Sequence, residues 1–288
     1  MAPSSLFIRL ISLEDILKKI IKVTIIVLGK TTIGRYIYQQ VVSDAMNQTK
    51  EVIHQGVTLH LSTPNWINKY RADSFSTKEP ETLEWYDGIS NGSVVWDIGA
   101  NVGLYTCYAA KARGCKVYAF EPSVFNLELL ARNIYINGLS DQAVIVPLPL
   151  SDNLAINKLN MSTTDWGGAL STFGQSYGHD GLTLNNIFEF QTLGLSMTEA
   201  MELLKIPQPD YIKMDVDGIE HLILKGGHSV LKHVKGVLIE INEEFEKQTV
   251  DSAHYLREAG LIFKEKRHAE EFNDTICFNQ IWSRSTEK

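Results

Sequence analysis

From Val94 onward the chain alternates short apolar runs with stretches of helical spacing: VVWDI, LYTCYAAKAR, KVYAFEP, FNLELLARNIYING, AVIVPL. Runs of this kind, without polar alternation, are strands buried on both faces, and the intervening text places apolar residues three and four apart. Such a βαβαβ order demands a parallel sheet with crossover helices on both faces. The alternation pauses, then resumes with MTEAMELLK, the strand YIKMDV, a helix from about Gly218 to Lys225, the strand GVLIEIN, a helix around Ser252 to Ala259, and the strands LIFKEK and TICFNQ. The last two lie close enough for an antiparallel pair. The expected fold is α/β, mostly parallel with an antiparallel final strand.

Around this core the chain divides into parts. Residues 1–46 read as an N-terminal helical extension, 47–92 as a lead-in hairpin and helix, 93–282 as the main domain and 283–288 as a tail. In the lead-in, EVIHQGVTLHLST has period two with Gly56 at its turn, and STKEPETLEWYDGIS reads as a cap and a helix ending near Gly88. Residues 154–192 are polar, glycine-rich and too long for a tight connection, so they read as an excursion that covers a site.

The extension contains ISLEDILKKIIKVTIIVLG, in which Glu14, Asp15, Lys18, Lys19 and Lys22 interrupt the apolar text. Its clean apolar run is too short to span about 30 Å of hydrocarbon. Two placements stay open: packing on the protein, including a homodimer through this helix, and peripheral contact with a membrane whose headgroups take the lysines. No basic segment followed by an unbroken apolar stretch and a cleavage site opens the chain, so the expected location is cytoplasmic or membrane-peripheral. The run GKTT at 29–32 lacks the earlier glycine of a phosphate loop, since Thr24 stands there.

The charge balance is 27 Lys and Arg against 34 Asp and Glu, with the basic residues dispersed, which disfavours nucleic acid as a partner. Cys107, Cys115 and Cys277 form no CxxC pair and read as incidental thiols in a reducing compartment.

Ligands of an open parallel sheet collect beyond the carboxyl ends of its strands. The first strand ends in DIGANVG, with Asp97, Gly99, Asn101 and Gly103, and the second in Glu121, an acid able to take two ribose hydroxyls. A dinucleotide turn is GxGxxG, with its pyrophosphate at a helix N-terminus. Here Asn101 replaces a glycine and Asp97 precedes the turn. An acid repels pyrophosphate but suits an α-amino group, so S-adenosyl-L-methionine is favoured over NAD. Ser151 and Asp152, after the third strand, stand where an adenine amino group could be read, although Asp152 equally suits a turn.

Methyl transfer to a hydroxyl needs alignment and a base. Period two places Lys213, Asp215 and Asp217 on one side of the fourth strand, and the fifth brings Glu240 and Asn242. Asp217 and Glu220 have the spacing of a capping box, leaving Asp215, Glu240 and Lys213 as the catalytic candidates. His221 reads as a packing residue or a local partner of Asp217. These oxygens could also hold Mg2+, but no metal motif is present, so a metal is not favoured. Trp166, Phe173, Tyr177 and Asn242 are candidates for the acceptor, the rings by stacking on sugar faces.

The segments VVWDIGANVGLYTCYAA, VYAFEPSVFNLELLARNIYING and YIKMDVDGIEHLILKGG resemble the FkbM-type methyltransferases, over roughly 79–278. The resemblance implies a Rossmann-like class I methyltransferase sheet and O-methylation of hydroxyls on sugars, glycans or polyketide-type products. A sugar, glycan or glycosylated lipid is the leading acceptor. A protein or small-metabolite acceptor, a nicotinamide-dependent oxidoreductase and a non-enzymatic scaffold are the alternatives. By the same resemblance Asp97, Gly99, Asn101 and Gly103 form the donor turn and Glu121 the ribose-binding acid. Asp217 stands where a Glu is frequent, Glu240 matches the acid of the fifth strand, and Asn242 stands where a His is common.

Overall fold

A computed structural model describes residues 13–268 and 276–285, in two compact units, Met1–Gln48 and Thr49–Lys288. Residues 1–12 of the extension, Thr275 of the last expected strand and 286–288 of the tail lie outside the described residues.

In the first unit Leu13–Leu28 (α1) and Thr32–Asn47 (α2) are two helices joined by a short connection that meet beside it as a hairpin, the Tyr38 hydroxyl donating to the Ile25 carbonyl. Their connection is the GKTT run, and its role is capping: the Thr31 hydroxyl accepts the Gly34 N–H at 2.9 Å. A Cβ on Gly34 would lie 1.9 Å from the Leu28 carbonyl oxygen, so only glycine permits this approach.

The second unit begins with an antiparallel hairpin, Thr49–His54 (β1) and Val57–Ser62 (β2). Its turn residues Gln55 and Gly56 both have positive φ, as a two-residue hairpin of this twist requires. A helix not anticipated from sequence follows, Trp66–Asp73 (α3), capped by Asn65, whose side chain accepts the Asn68 N–H. Then comes Pro80–Gly88 (α4), with proline in its first turn.

The central sheet uses Val94–Ile98 (β3), Lys116–Phe120 (β4), Ala143–Val146 (β5), Tyr211–Met214 (β9), Gly236–Asn242 (β10), Ile262–Arg267 (β11) and Cys277–Ser283 (β12). Their order is β11-β12-β10-β9-β3-β4-β5, with β12 antiparallel to both neighbours and the pairs among β10, β9, β3, β4 and β5 parallel. Topology and layering are those of a Rossmann-like methyltransferase fold. Period two divides the core. Trp96, Ile98, Ile212 and Met214 join one cluster with Ile223 of Glu220–Lys225 (α8) and Leu256 of Glu246–Glu258 (α10). Val95, Val117 and Ala119 join the other with Tyr108 of Leu104–Arg113 (α5) and Leu130 of Val124–Ile136 (α6). A fully buried side chain of this size contributes roughly 1.5–3 kcal/mol.

The excursion is more than a loop: Ala155–Met161 (β6), Ser171–Phe173 (β7) and Phe188–Gly194 (β8) make a separate antiparallel sheet in the order β7-β6-β8. Met197–Leu204 (α7), with a capping box from Ser196 and Glu199, leads back to the core. The short helix His228–Leu231 (α9) follows α8.

Candidate functional site

The turn after β3 is shaped by what packs against it. Gly99, Asn101 and Gly103 have φ of 83°, 51° and 80°. A Cβ on Gly99 would lie 1.8 Å from the carbonyl oxygen of Asp215, and one on Gly103 would lie 2.3 Å from Leu130 Cδ1. The glycines therefore answer first to the end of β9 and to α6. Gly99 and Asn101 line a cavity at the carboxyl ends of the strands, whereas Gly103 caps α5 and does not.

Asn101 ties two elements to the turn: its backbone N–H donates to Glu121 Oε2 at 2.8 Å, and its side-chain amide donates to the Gly168 carbonyl at 2.8 Å. Glu121, in the cavity wall, also accepts the Ser123 N–H through Oε1 at 2.7 Å. Burial pushes its carboxyl up to about 7, against the pull of the Ser123 and Asn101 hydrogen bonds. Each oxygen retains acceptor capacity for a hydroxyl.

Beside this turn, Lys213, Asp215, Asp217 and Glu240 share the same cavity. Lys213 is buried, 3.1 Å from Asp215 Oδ2 and over the Tyr105 ring at 5.6 Å from its centroid. Burial works against both charges, but the two groups support one another, raising Lys213 above its ordinary range and holding Asp215 below. Lys78 assists in lowering Asp215. The charge on Asp215, and then burial, push the Glu240 carboxyl well above the usual carboxylate range. The two acids are thus pushed apart, Asp215 below and Glu240 well above the usual carboxylate range.

Asp217 and Glu220 do not form the expected capping box. Asp217 takes a left-handed backbone, φ 59°, and its carboxylate accepts the Leu170 N–H at 2.7 Å. Glu220 opens α8 and accepts the N–H groups of Val216 and Gly218 at 3.0 Å each. His221 packs edge-on against Phe245 and makes no pair with Asp217; burial lowers it to about 4.

Other wall residues were missed because the lead-in carries them: Arg71 on α3, then Phe75, Lys78 and Glu79 before α4. Lys78 pairs with Glu79 at 2.7 Å, and the Arg71 guanidinium donates to the Gly167 carbonyl at 2.8 Å and 3.2 Å. Asn65 and Asn68 hold the Trp166 carbonyl, and Asn126 holds Gly167 and Gly168. Asn65 followed by helical spacing marks α3, but no local feature marks Lys78 or Glu79.

Several expected contacts lie elsewhere. Asp97 falls on the α5 side of β3, behind the wall: it accepts from the Thr106 hydroxyl and lies 3.9 Å from its cross-strand partner Lys213. It braces the lysine. Ser151 pairs through its backbone with Leu195 and Asp152 with Lys225 at 2.8 Å, while Leu148, Pro149 and Leu150 supply that wall. Trp166 contributes its carbonyl rather than its ring, and Tyr177 packs edge-on against Phe245. Asn242 is buried and caps the Glu244 N–H. Of the expected acceptor residues only Phe173 lines the cavity.

The wall carries Glu79, Glu121, Asp215, Asp217 and Glu240 against Arg71, Lys78 and Lys213. Among the described residues no group of three or more His, Cys, Asp or Glu is placed to hold a metal ion.

The Methyltransferase FkbM domain matches residues 97–263. The chain belongs to the FkbM methyltransferase family. Membership in this family favours S-adenosylmethionine over a nicotinamide as the cofactor of the domain. The hexuronic acid methyltransferase AglP of Haloferax volcanii is 27% identical over 157 residues, 54% of this chain and 59% of that protein. The ribosomal protein arginine N-methyltransferase rmt3 of Schizosaccharomyces pombe is 31% identical over 83 residues, 28% of this chain and 15% of that protein. This family member thus spans well under two thirds of either curated relative. The crystal structure of methyltransferase FkbM from Methylobacillus flagellatus shares its fold, with TM-score 0.50 and 13% identity over 77% of this chain and 54% of that one.

Proposed function

We propose that this methyltransferase acts on a hydroxyl of a sugar or glycan, with an acidic sugar as the favoured acceptor. The observation that carries the reading is the sharing of one cavity by the donor turn and the pair Asp215 and Glu240, with Arg71 and Lys78 on its wall. When bound, S-adenosylmethionine supplies an electrophilic methyl group on a sulfonium. Gly99 and Asn101 shape the turn beside it, and Glu121 offers carboxylate oxygens to paired hydroxyls.

The remaining work is to place a hydroxyl and accept its proton. Lys213 keeps Asp215 ionised, and the charge of Asp215 makes Glu240 the stronger base of the two. A cationic donor nearby favours loss of the Glu240 proton, leaving that carboxylate to receive the proton of the acceptor hydroxyl. Arg71 and Lys78 suit a sugar carboxylate, and the likeness to a hexuronic acid methyltransferase points the same way. They disfavour a cationic arginine acceptor.

The test is product mass spectrometry after incubation with isotopically labelled donor and four acceptor classes: hexuronic acid glycosides, neutral glycosides, lipid-linked sugars and arginine-rich peptides. Label on a hydroxyl oxygen of a uronic-acid-containing glycan is expected. Label confined to peptide nitrogen overturns the reading.

A further inference from the structure

The hairpin of α1 and α2 exposes an unusual amount of apolar surface. Ile16, Leu17, Ile20, Ile21, Val23 and Val27 are all exposed, Ile20 at 56%. At 3.6 residues per turn they fall on one broad side of α1, and Asp15, Lys18, Lys19 and Lys22 fall on the other. In the last turn Ile25 and Ile26 occupy the lysine side, also exposed, so apolar residues encircle the helix just before the connection at 29–31. A patch of this kind marks an interaction surface.

Charge selects its occupant. Residues 1–48 carry six Lys and Arg against three Asp and Glu, whereas the rest of the chain carries 21 against 31. A cationic, apolar hairpin thus precedes an anionic enzyme unit. A second copy packed on the apolar side would bring no opposite charge to Lys19 and Lys22, which lie on the other side. An anionic surface neutralises them instead. Crossing is not the mode: no helix among the described residues is long and apolar enough to span a membrane.

We propose that the α1–α2 hairpin lies in the interface of an anionic bilayer, its Ile and Val side chains between the acyl chains and its lysines among the headgroups. The placement does not depend on which acceptor the enzyme uses.

The test is flotation of the full chain on vesicles of phosphatidylcholine alone and of phosphatidylcholine with about one third phosphatidylglycerol, each at low and high salt. Calorimetric binding of S-adenosylhomocysteine verifies folding of every variant. The wild-type chain is expected to float with the anionic vesicles and to leave them as salt rises. The variant K18Q/K19Q/K22Q is expected to bind roughly a hundredfold more weakly, since each lysine near such a surface contributes about 1 kcal/mol. Ile20→Asp with Ile21→Asp is expected to abolish flotation with donor-product binding intact. The proposal is overturned if the wild-type chain floats on neither vesicle, or floats equally on both without loss in the triple variant. A dimer dissolved by Ile20→Asp, in a chain that ignores vesicles, overturns it in favour of self-association.

Discussion

The carboxylate of Asp217 accepts the backbone N–H of Leu170 at 2.7 Å, and both residues hold left-handed backbones, with φ of 59° and 62°. Such conformations cost about 1–3 kcal/mol each at residues other than glycine and persist only when their surroundings enforce them. The bond joins the end of β9 to residues 167–170, which Arg71, Asn101 and Asn126 also hold at the cavity. Asp217→Ala leaves that N–H without its acceptor. We expect faster hydrogen exchange across 165–172 and a ten- to hundredfold loss in kcat/KM, with Asp217→Asn restoring part of both because its carbonyl oxygen still accepts. Unchanged exchange in the alanine variant would show that the bond does not hold the segment.

Glu240 and Asp215 differ in role, and their pH profiles should reveal it. Glu240→Gln is expected to lower kcat by two to four orders of magnitude, in the range of a positioned general base, while donor affinity changes by less than tenfold. Asp215→Asn removes the charge that raises Glu240 most. Its residual activity should therefore keep an ascending limb displaced toward acid by at least about one pH unit relative to wild type. A limb displaced toward alkali, or unmoved, would end the assignment of Glu240 as base.

Donor binding should release a proton. Glu240 is raised well above the usual carboxylate range by the charge of Asp215 and by burial, and burial pushes Glu121 up to about 7. A bound sulfonium favours the ionised form of nearby acids, so donor affinity rises with pH through the neutral range. Calorimetry in buffers of different ionisation enthalpy measures the proton count directly. An enthalpy that does not vary with buffer would mean that neither acid changes state.

The sheet was legible because its strands are short and apolar on both faces, and because the acids that end β3, β4, β9 and β10 interrupt that text at sharp positions. The side on which each acid acts was harder to read. Asp97 follows Val95 in period two onto the α5 side of β3, where it braces Lys213. The spacing of Asp217 and Glu220 matches a capping box, but the left-handed turn at Asp217 sends its carboxylate to a residue 47 positions earlier in the chain. Lys78 and Glu79 reach the cavity through the path of the lead-in, which is a property of the packed molecule. Trp166 acts through its backbone, which its side chain could not announce.

Lys78 offers a selective test of acceptor charge. It lines the cavity, pairs with Glu79 and acts on Asp215 through its field. Lys78→Met keeps much of the side-chain length and removes the cation. We expect KM for a uronic-acid acceptor to rise by at least tenfold, with a change of less than threefold for a neutral glycoside. Equal losses for both acceptors would assign Lys78 to the donor or to Asp215 rather than to the acceptor carboxylate.

Glu220 ties stability to pH. It is buried and accepts the Val216 and Gly218 N–H groups and the Gln248 amide, yet burial pushes its carboxyl up to about 7. The unfolded chain releases the same proton near 4.5. Between these values the folded state holds a proton that the unfolded state lacks, so stability is highest below about pH 4.5 for this group and falls as pH rises toward 7. The loss is at most about 3 kcal/mol, and Glu121 adds a contribution of the same sign. Glu220→Gln keeps one acceptor oxygen and forces the Gln248 amide to reorient, so it should cost about 1–2 kcal/mol at acidic pH while flattening the fall between pH 5 and 7. Urea unfolding at half-unit pH steps measures both. A variant with the same slope as wild type would show that Glu220 stays ionised in the fold, held by its three donors.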